Sequence, residues 1–281
     1  MNDSSLLSER LFLPAVPRVQ DFLDGGSDNF AVDRSLGAKL RAAAYWLPDS
    51  VRINRAHGPR ILSHITGALG IDQVIDLGCG LPHDDNRYLP EAVRRVVYVD
   101  NDPLVEGHAR MALAERTGAV SLLADLTEMP GLLATPAIAK LERDRPIAVL
   151  LHDVLPYLGD DDANTLLEAL KDWLPLGSVL SLTHTTADFA REALMEDLVG
   201  LYADVGISFR PRTAAQIRTL LAAWTILDGG ELVTTAEWHS PSTYARLDQS
   251  HAYAAIATPP PPGTAPVPAP ARMTCASEVA S

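Results

Sequence analysis

The chain has 281 residues, 47% hydrophobic and 6% aromatic, enough to bury the core of one large domain or two small ones. Its 23 Lys plus Arg against 36 Asp plus Glu leave a net charge of −13, which argues against a nucleic-acid partner because phosphate binding needs a basic surface. Two cysteines, Cys79 and Cys275, support neither a disulfide framework nor a Cys-based zinc site, and no metal is expected.

In chain order, MNDSSLLSERLFLPAV carries acids and lacks a sustained apolar core, so it does not read as a secretory signal. No apolar run is long enough to span a membrane, and a cytoplasmic protein is expected. RVQDFLDG places Val19, Phe22 and Leu23 at helical spacing, and FAVDRSLGAKLRAAAYWL continues with another apolar face. Between them, Gly25 and Gly26 are expected to end the first helix, one of them left-handed. Residues 1–50 are thus read as a helical cap or lid, and 51–257 as the main domain. Five apolar runs follow as strands: 73–78, 95–100, 120–125, 147–153 and 178–184. Helical patterns over 102–116 and 160–173 separate them, the first opening on Asp102-Pro103, an N-cap followed by proline. This alternation predicts a parallel sheet with helices on both faces, binding its ligand at the carboxyl ends of the strands. The acids of GDDDAN (159–164) read as a solvated helix start, and Thr213 as an N-cap beside Arg210 and Arg212. Residues 258–281, with 7 of the 21 prolines, read as a disordered tail.

Asp76, Asp100, Asp125, Asp153 and His184 stand at or near strand ends and suggest the rim of one cleft. In IDLGCGLP (75–82), Gly78 and Gly80 let the backbone turn tightly and approach a ligand. A dinucleotide fingerprint needs a third glycine where this chain has His83, which disfavours a nicotinamide-dependent oxidoreductase. The D-x-G-x-G spacing from Asp76 instead resembles the nucleotide loop of class I S-adenosylmethionine methyltransferases. Asp100 ends a strand twenty residues after Gly80, where an acid accepts both ribose hydroxyls. Asp125, after the third strand, can accept from the adenine amine.

A narrower resemblance rests on RVQDFLDGGSDNFAVDR (18–34), VRINRAHGPRIL (51–62), QVIDLGCGLP (73–82), VVYVDNDPLVEGHAR (96–110), SLTHTTADF (181–189) and FRPRTAAQI (209–217). Over about residues 18–257 the chain resembles the bacterial S-adenosylmethionine-dependent methyltransferase family formerly catalogued as a domain of unknown function. The resemblance implies a Rossmann-like class I fold: a mostly parallel seven-stranded sheet, helices on both faces and an N-terminal helical cap. It implies S-adenosylmethionine as cofactor and a small molecule as methyl acceptor. The chain departs from the family in GLPHDDNRYLPE (80–91), which keeps Asn86, and in HDVLPYL (152–158). These departures keep open a cofactor-binding protein without methyl transfer, such as a sensor.

The candidate cofactor contacts are Asp76, Gly78, Cys79, Gly80, Asp100, Asn101, Asp125, Leu126 and His152, with Gly26, Asn29 and Arg55 from the preceding helical segments. Arginine suits a bidentate contact to the cofactor carboxylate. Methyl transfer is an in-line displacement that often needs a base, and His152 and His184 are the candidates because neutral imidazole is available near pH 7. Tyr157 is expected to line the acceptor pocket, while Asp153 either orients a base or caps a turn.

Overall fold

A computed structural model describes residues 12–82, 89–112, 117–227, 229–238 and 247–261. His83 and Asn86, and the tail beyond 261, lie outside them. Among the described residues four helices come first: α1 (Val16–Asp24), α2 (Ala31–Ala43), α3 (Leu47–Arg55) and α4 (His57–Gly67). The sheet follows as β1 (Gln73–Leu77), β2 (Arg95–Asp100), β3 (Ala119–Leu123), β4 (Ala148–His152) and β5 (Val179–Thr185). Helices α5 (Pro103–Ala112), α6 (Met129–Leu133) and α7 (Asp160–Trp173) are interleaved with these strands. After β5 come α8 (Glu192–Ala203), α9 (Ala214–Leu220), β6 (Thr225–Ile226), β7 (Val233–Thr234) and β8 (Ala252–Thr258).

The strand order is β3-β2-β1-β4-β5-β8-β6, with β7 also on β8. Strands β1 to β5 are parallel, as expected, and β8 runs antiparallel to β5. The sheet has eight strands rather than the expected seven, and the extra one is a matter of continuity. Both β6 and β7 pair antiparallel with β8, at Ala257–Thr258 and Tyr253–Ala254. Because β5 occupies the other side of β8, they form one edge position split in two.

Side-chain alternation along each strand fills two cores. Ile75, Leu77, Val97, Val149 and Leu151 pack with Leu166 and Leu170 of α7, while Val74, Val96, Ala148 and Leu150 pack with Ile61 and Ile65 of α4. The central strands β4 and β5 are buried almost throughout, as strands covered on both faces must be. A third core joins Val19, Leu36, Leu40 and Val51 of the leading helices to Met195, Leu198, Tyr202 and Phe209. The cap therefore rests on α8 and the segment after it. A cap ending at residue 50 would cut α3, which continues to Arg55 and is tied to the main domain by Ser50 Oγ donating to Ser250 O at 2.6 Å. No helix among the described residues is long and apolar enough to cross a membrane.

Candidate functional site

β1 delivers the chain into a turn in which Gly78 and Gly80 have φ values of 67° and 66°. A side chain at Gly78 would meet Val154 at 2.5 Å, whereas at Gly80 it would meet nothing and would project into open space. The turn is fixed to β2: the amides of Gly78 and Cys79 both donate to Val99 O, at 2.8 and 3.1 Å. Asp100 closes the arrangement. Its Oδ2 accepts from the Gly80 amide at 3.0 Å and its Oδ1 from the Asp102 amide at 3.0 Å.

This turn forms one wall of a cavity of about 550 Å³. Asp76, Gly78, Cys79, Gly80, Arg55, His152 and Tyr157 line it together with Asp153, Gln20, Tyr202 and Phe209. Asp76 is pushed up to about 7 by burial and then by the nearby Asp100 charge. Asp100 is pushed up to about 6 by burial, against the backbone donors that favour its charged form. Burial and the same two carboxylates raise the Cys79 thiol, so it is no thiolate nucleophile.

His152 Nε2 lies 2.9 Å from Ser181 Oγ, and burial lowers the imidazole to about 4, leaving it neutral at pH 7. His184 does not line the cavity. Arg212 Nη1 lies 3.1 Å from its Nε2 and can only donate, so the ring proton sits on Nδ1 and goes to Thr185 O at 2.6 Å. With both nitrogens engaged and burial lowering it to about 3, His184 belongs to the packing behind β5. Arg212 is likewise consumed internally, by Asp160 and the carbonyls of Leu155 and Leu158. Thr213 caps α9 in a reciprocal box with Gln216, as its sequence position suggests.

Asp125 and Leu126 also lie outside the cavity lining. Asp125 accepts from Thr127 N and Oγ1 at 3.0 and 2.9 Å, and Leu126 is buried in the core. Asn101 is exposed beside Asp100. Gly26 and Asn29 serve the loop itself: Asn29 Nδ2 donates to Asp21 Oδ2 at 2.7 Å and to Gly26 O at 3.0 Å. A side chain on Gly26 would strike the Asp21 carboxylate at 2.1 Å, so the close approach there is to Asp21. Arg55 reaches the cavity while its Nη1 donates to Asp24 Oδ2 at 3.1 Å.

Two residues acquire a place that sequence spacing does not give them. Arg18 is buried, with Nε on Asp102 Oδ2 at 3.0 Å and Nη1 on Asp33 Oδ2 at 3.2 Å. Phe30, the aromatic that closes the glycine loop, lies with its ring centroid 5.1 Å from the Arg18 guanidinium carbon. Asp153, just past β4, adopts φ 54°, and its Oδ1 accepts from Thr185 N and Oγ1 at 2.9 and 2.5 Å. The only sequence signal for Arg18 is its presence, with Asp33, in the 18–34 segment that carries the family resemblance.

Residues 9–260 match the family model described as S-adenosyl methyltransferase. Two solved structures are similar over most of the chain. A candidate methyltransferase from Thermobifida fusca YX has 28% identity and a TM-score of 0.80, covering 88% of this chain and 95% of its own. A DUF574 family protein from Streptomyces avermitilis MA-4680 has 27% identity and a TM-score of 0.81, covering 89% and 99%. No protein of curated function matches.

Proposed function

The chain belongs to the S-adenosyl methyltransferase family, and from that premise we propose how its cavity divides between cofactor and acceptor. It is an S-adenosylmethionine-dependent methyltransferase with a Rossmann-like class I sheet. The residues present fit the cofactor: a glycine turn with open space at Gly80, flanked by Asp76, which lines the cavity, and by the buried Asp100; the raised pKa values of both mark a site short of positive charge. Asp100 holds the ribose hydroxyls, and Asp76 the amino group of the methionine end. Arg55 stands at the rim for the methionine carboxylate, in exchange with Asp24. When bound, the cofactor supplies an electrophilic methyl group on a sulfonium.

The observation that carries this reading is the Asp100 carboxylate fixed by the Gly80 amide, which binds the strand-end acid to the glycine turn as one unit. His152 and Tyr157 line the remainder, where the acceptor would lie, and neither Asp125 nor His184 is needed there. We assign a small-molecule acceptor because this part of the cavity is lined by α1, α3 and α8, and because a net charge of −13 opposes nucleic acid. The division into a helical cap, expected over residues 1–50 and drawn here to the end of α3, and a cofactor-binding domain after it is supported by the separate core that α1 to α3 form with α8. The test is incubation with methyl-labelled S-adenosylmethionine and a cell extract split by size. Label in the low-molecular-mass fraction supports the reading, and label confined to protein or nucleic acid overturns it.

A further inference from the structure

The acceptor half of the cavity has a distinctive chemistry. Asp153 sits at the mouth of β4 in a backbone conformation that side chains other than glycine rarely adopt, φ 54°. Such strain persists only where the surroundings fix it. Here they do: the Asp153 amide donates to Thr183 O at 2.9 Å, and Thr185 holds Oδ1 with two donors. Among the described residues, Oδ2 has only Gln20 Nε2, at 3.5 Å, beyond a good hydrogen bond, and Asp153 is a lining residue of the cavity. The carboxylate is thus anchored by one oxygen and presents the other.

Opposite stand three rings. Tyr157, Tyr202 and Phe209 pack with centroids 4.8 to 5.8 Å apart, and all three line the cavity. Gln20 of α1, which reaches toward Asp153, lines the same cavity as the rings. Among the described residues, the only Lys or Arg lining this cavity is Arg55, and its charge is paired with Asp24. His152 is neutral. A cavity lined by carboxylates and aromatic rings, with one already paired cation, suits a cationic guest. It penalises an anionic one.

We propose that the methyl acceptor is an amine that enters as an ammonium ion beside the Tyr157–Tyr202–Phe209 wall, and that Asp153 receives its proton. This rests on the cofactor placement above. The ammonium N–H proton passes to Asp153 Oδ2, freeing the nitrogen lone pair. That pair forms the new N–C bond to the sulfonium methyl as the C–S bond breaks and leaves its electrons on sulfur. The product is an N-methylammonium ion and a neutral thioether, and the proton on Asp153 returns to solvent. Burial raises the Asp153 carboxyl, which makes it a better proton acceptor than an exposed aspartate.

The test uses the full chain saturated with S-adenosylhomocysteine and three matched pairs: 2-phenylethylamine and 2-phenylethanol, tryptamine and tryptophol, cyclohexylmethylamine and cyclohexylmethanol. Calorimetry or ligand-observed NMR gives each affinity. At least one amine is expected to bind tenfold or more tighter than its alcohol, and Asp153→Asn to bring that ratio near one while S-adenosylhomocysteine affinity stays within about threefold. No preference for any amine in the wild-type protein overturns the proposal whether or not the variant folds. So does a preference that survives in Asp153→Asn. Failure of S-adenosylhomocysteine itself to bind is read separately, and counts against the cofactor placement.

Discussion

Asp100 and Asp102 stand two residues apart and have different partners. Asp102 looks in sequence like a helix cap, whose removal costs about 1 kcal/mol. It does accept from Leu104 N at 2.8 Å, but its other oxygen holds the buried Arg18. Asp102→Ala removes one of the two buried carboxylates on Arg18, the other being Asp33, and a lost charged hydrogen bond adds about 1.5–3 kcal/mol to the loss of the cap. Urea unfolding should show a loss of that order; a loss near 1 kcal/mol would mean that Arg18 finds compensation elsewhere. Asp76 gives a second prediction. Its carboxyl is pushed up to about 7, so below that pH the free protein holds a proton that an incoming ammonium must displace. S-adenosylhomocysteine affinity should therefore fall as pH drops from 8 to 6, by up to about tenfold per unit below 7. A flat profile would remove Asp76 from contact with the amino group. The glycine turn and its acids are legible in sequence because their spacing is local to one β-turn-β unit. Arg18 is not, since its partners lie 15 and 84 residues away; Asp153 is legible as a strand-end acid of the cleft rim, while the choice between orienting a base and capping a turn is not.

At the level of elements, the stretch FLDGGSDNF ends α1 as its glycines suggest: Gly25 has φ 88° and its amide caps the carbonyls of Asp21 and Phe22. What sequence could not show is that the loop is braced. Asn29 holds Asp21, and Asp28 comes within 3.6 Å of His108 on α5, a residue that lines the cavity. The loop thus bridges the cap and α5, the helix following β2. Hydrogen exchange should show residues 25–30 gaining protection when S-adenosylhomocysteine binds, and equal protection with and without it would leave the loop as packing. Deleting residues 1–30 is not a clean test of the same point, because it removes Arg18 from beneath Asp102. The parallel strands are legible as apolar runs, most plainly β4 and β5, which are buried on both faces. Strands β6 and β7 are two residues each and β8 is alanine-rich, so neither length nor β-propensity marks them.

Across the whole molecule, Asp76, Asp100 and Asp153 all have raised pKa values, with burial the leading cause; Asp76 and Asp153 line the cavity, and Asp100 is buried against the Gly80 amide. A carboxyl raised on folding contributes stability that is fully present below its unfolded value, near 4, and is lost as pH rises through the folded value. For Asp100 and Asp76 the loss falls at about 6 and about 7. The free protein should therefore melt at a higher temperature at pH 5.5 than at pH 8, and S-adenosylmethionine, whose amino group brings a cation to Asp76, should narrow the difference. The opposite pH trend in the free protein would mean that the acids are neutralised by groups outside this cavity. The central claim is that the Gly80–Asp100 unit is the cofactor site, and calorimetric titration of the full chain with S-adenosylhomocysteine tests it most directly. One equivalent should bind the wild-type protein, and Asp100→Ala, which loses up to two charge-assisted hydrogen bonds worth about 2–4 kcal/mol, should bind roughly 30- to 1000-fold more weakly. Unchanged affinity in a folded Asp100→Ala protein, or no binding to the wild type, would contradict it.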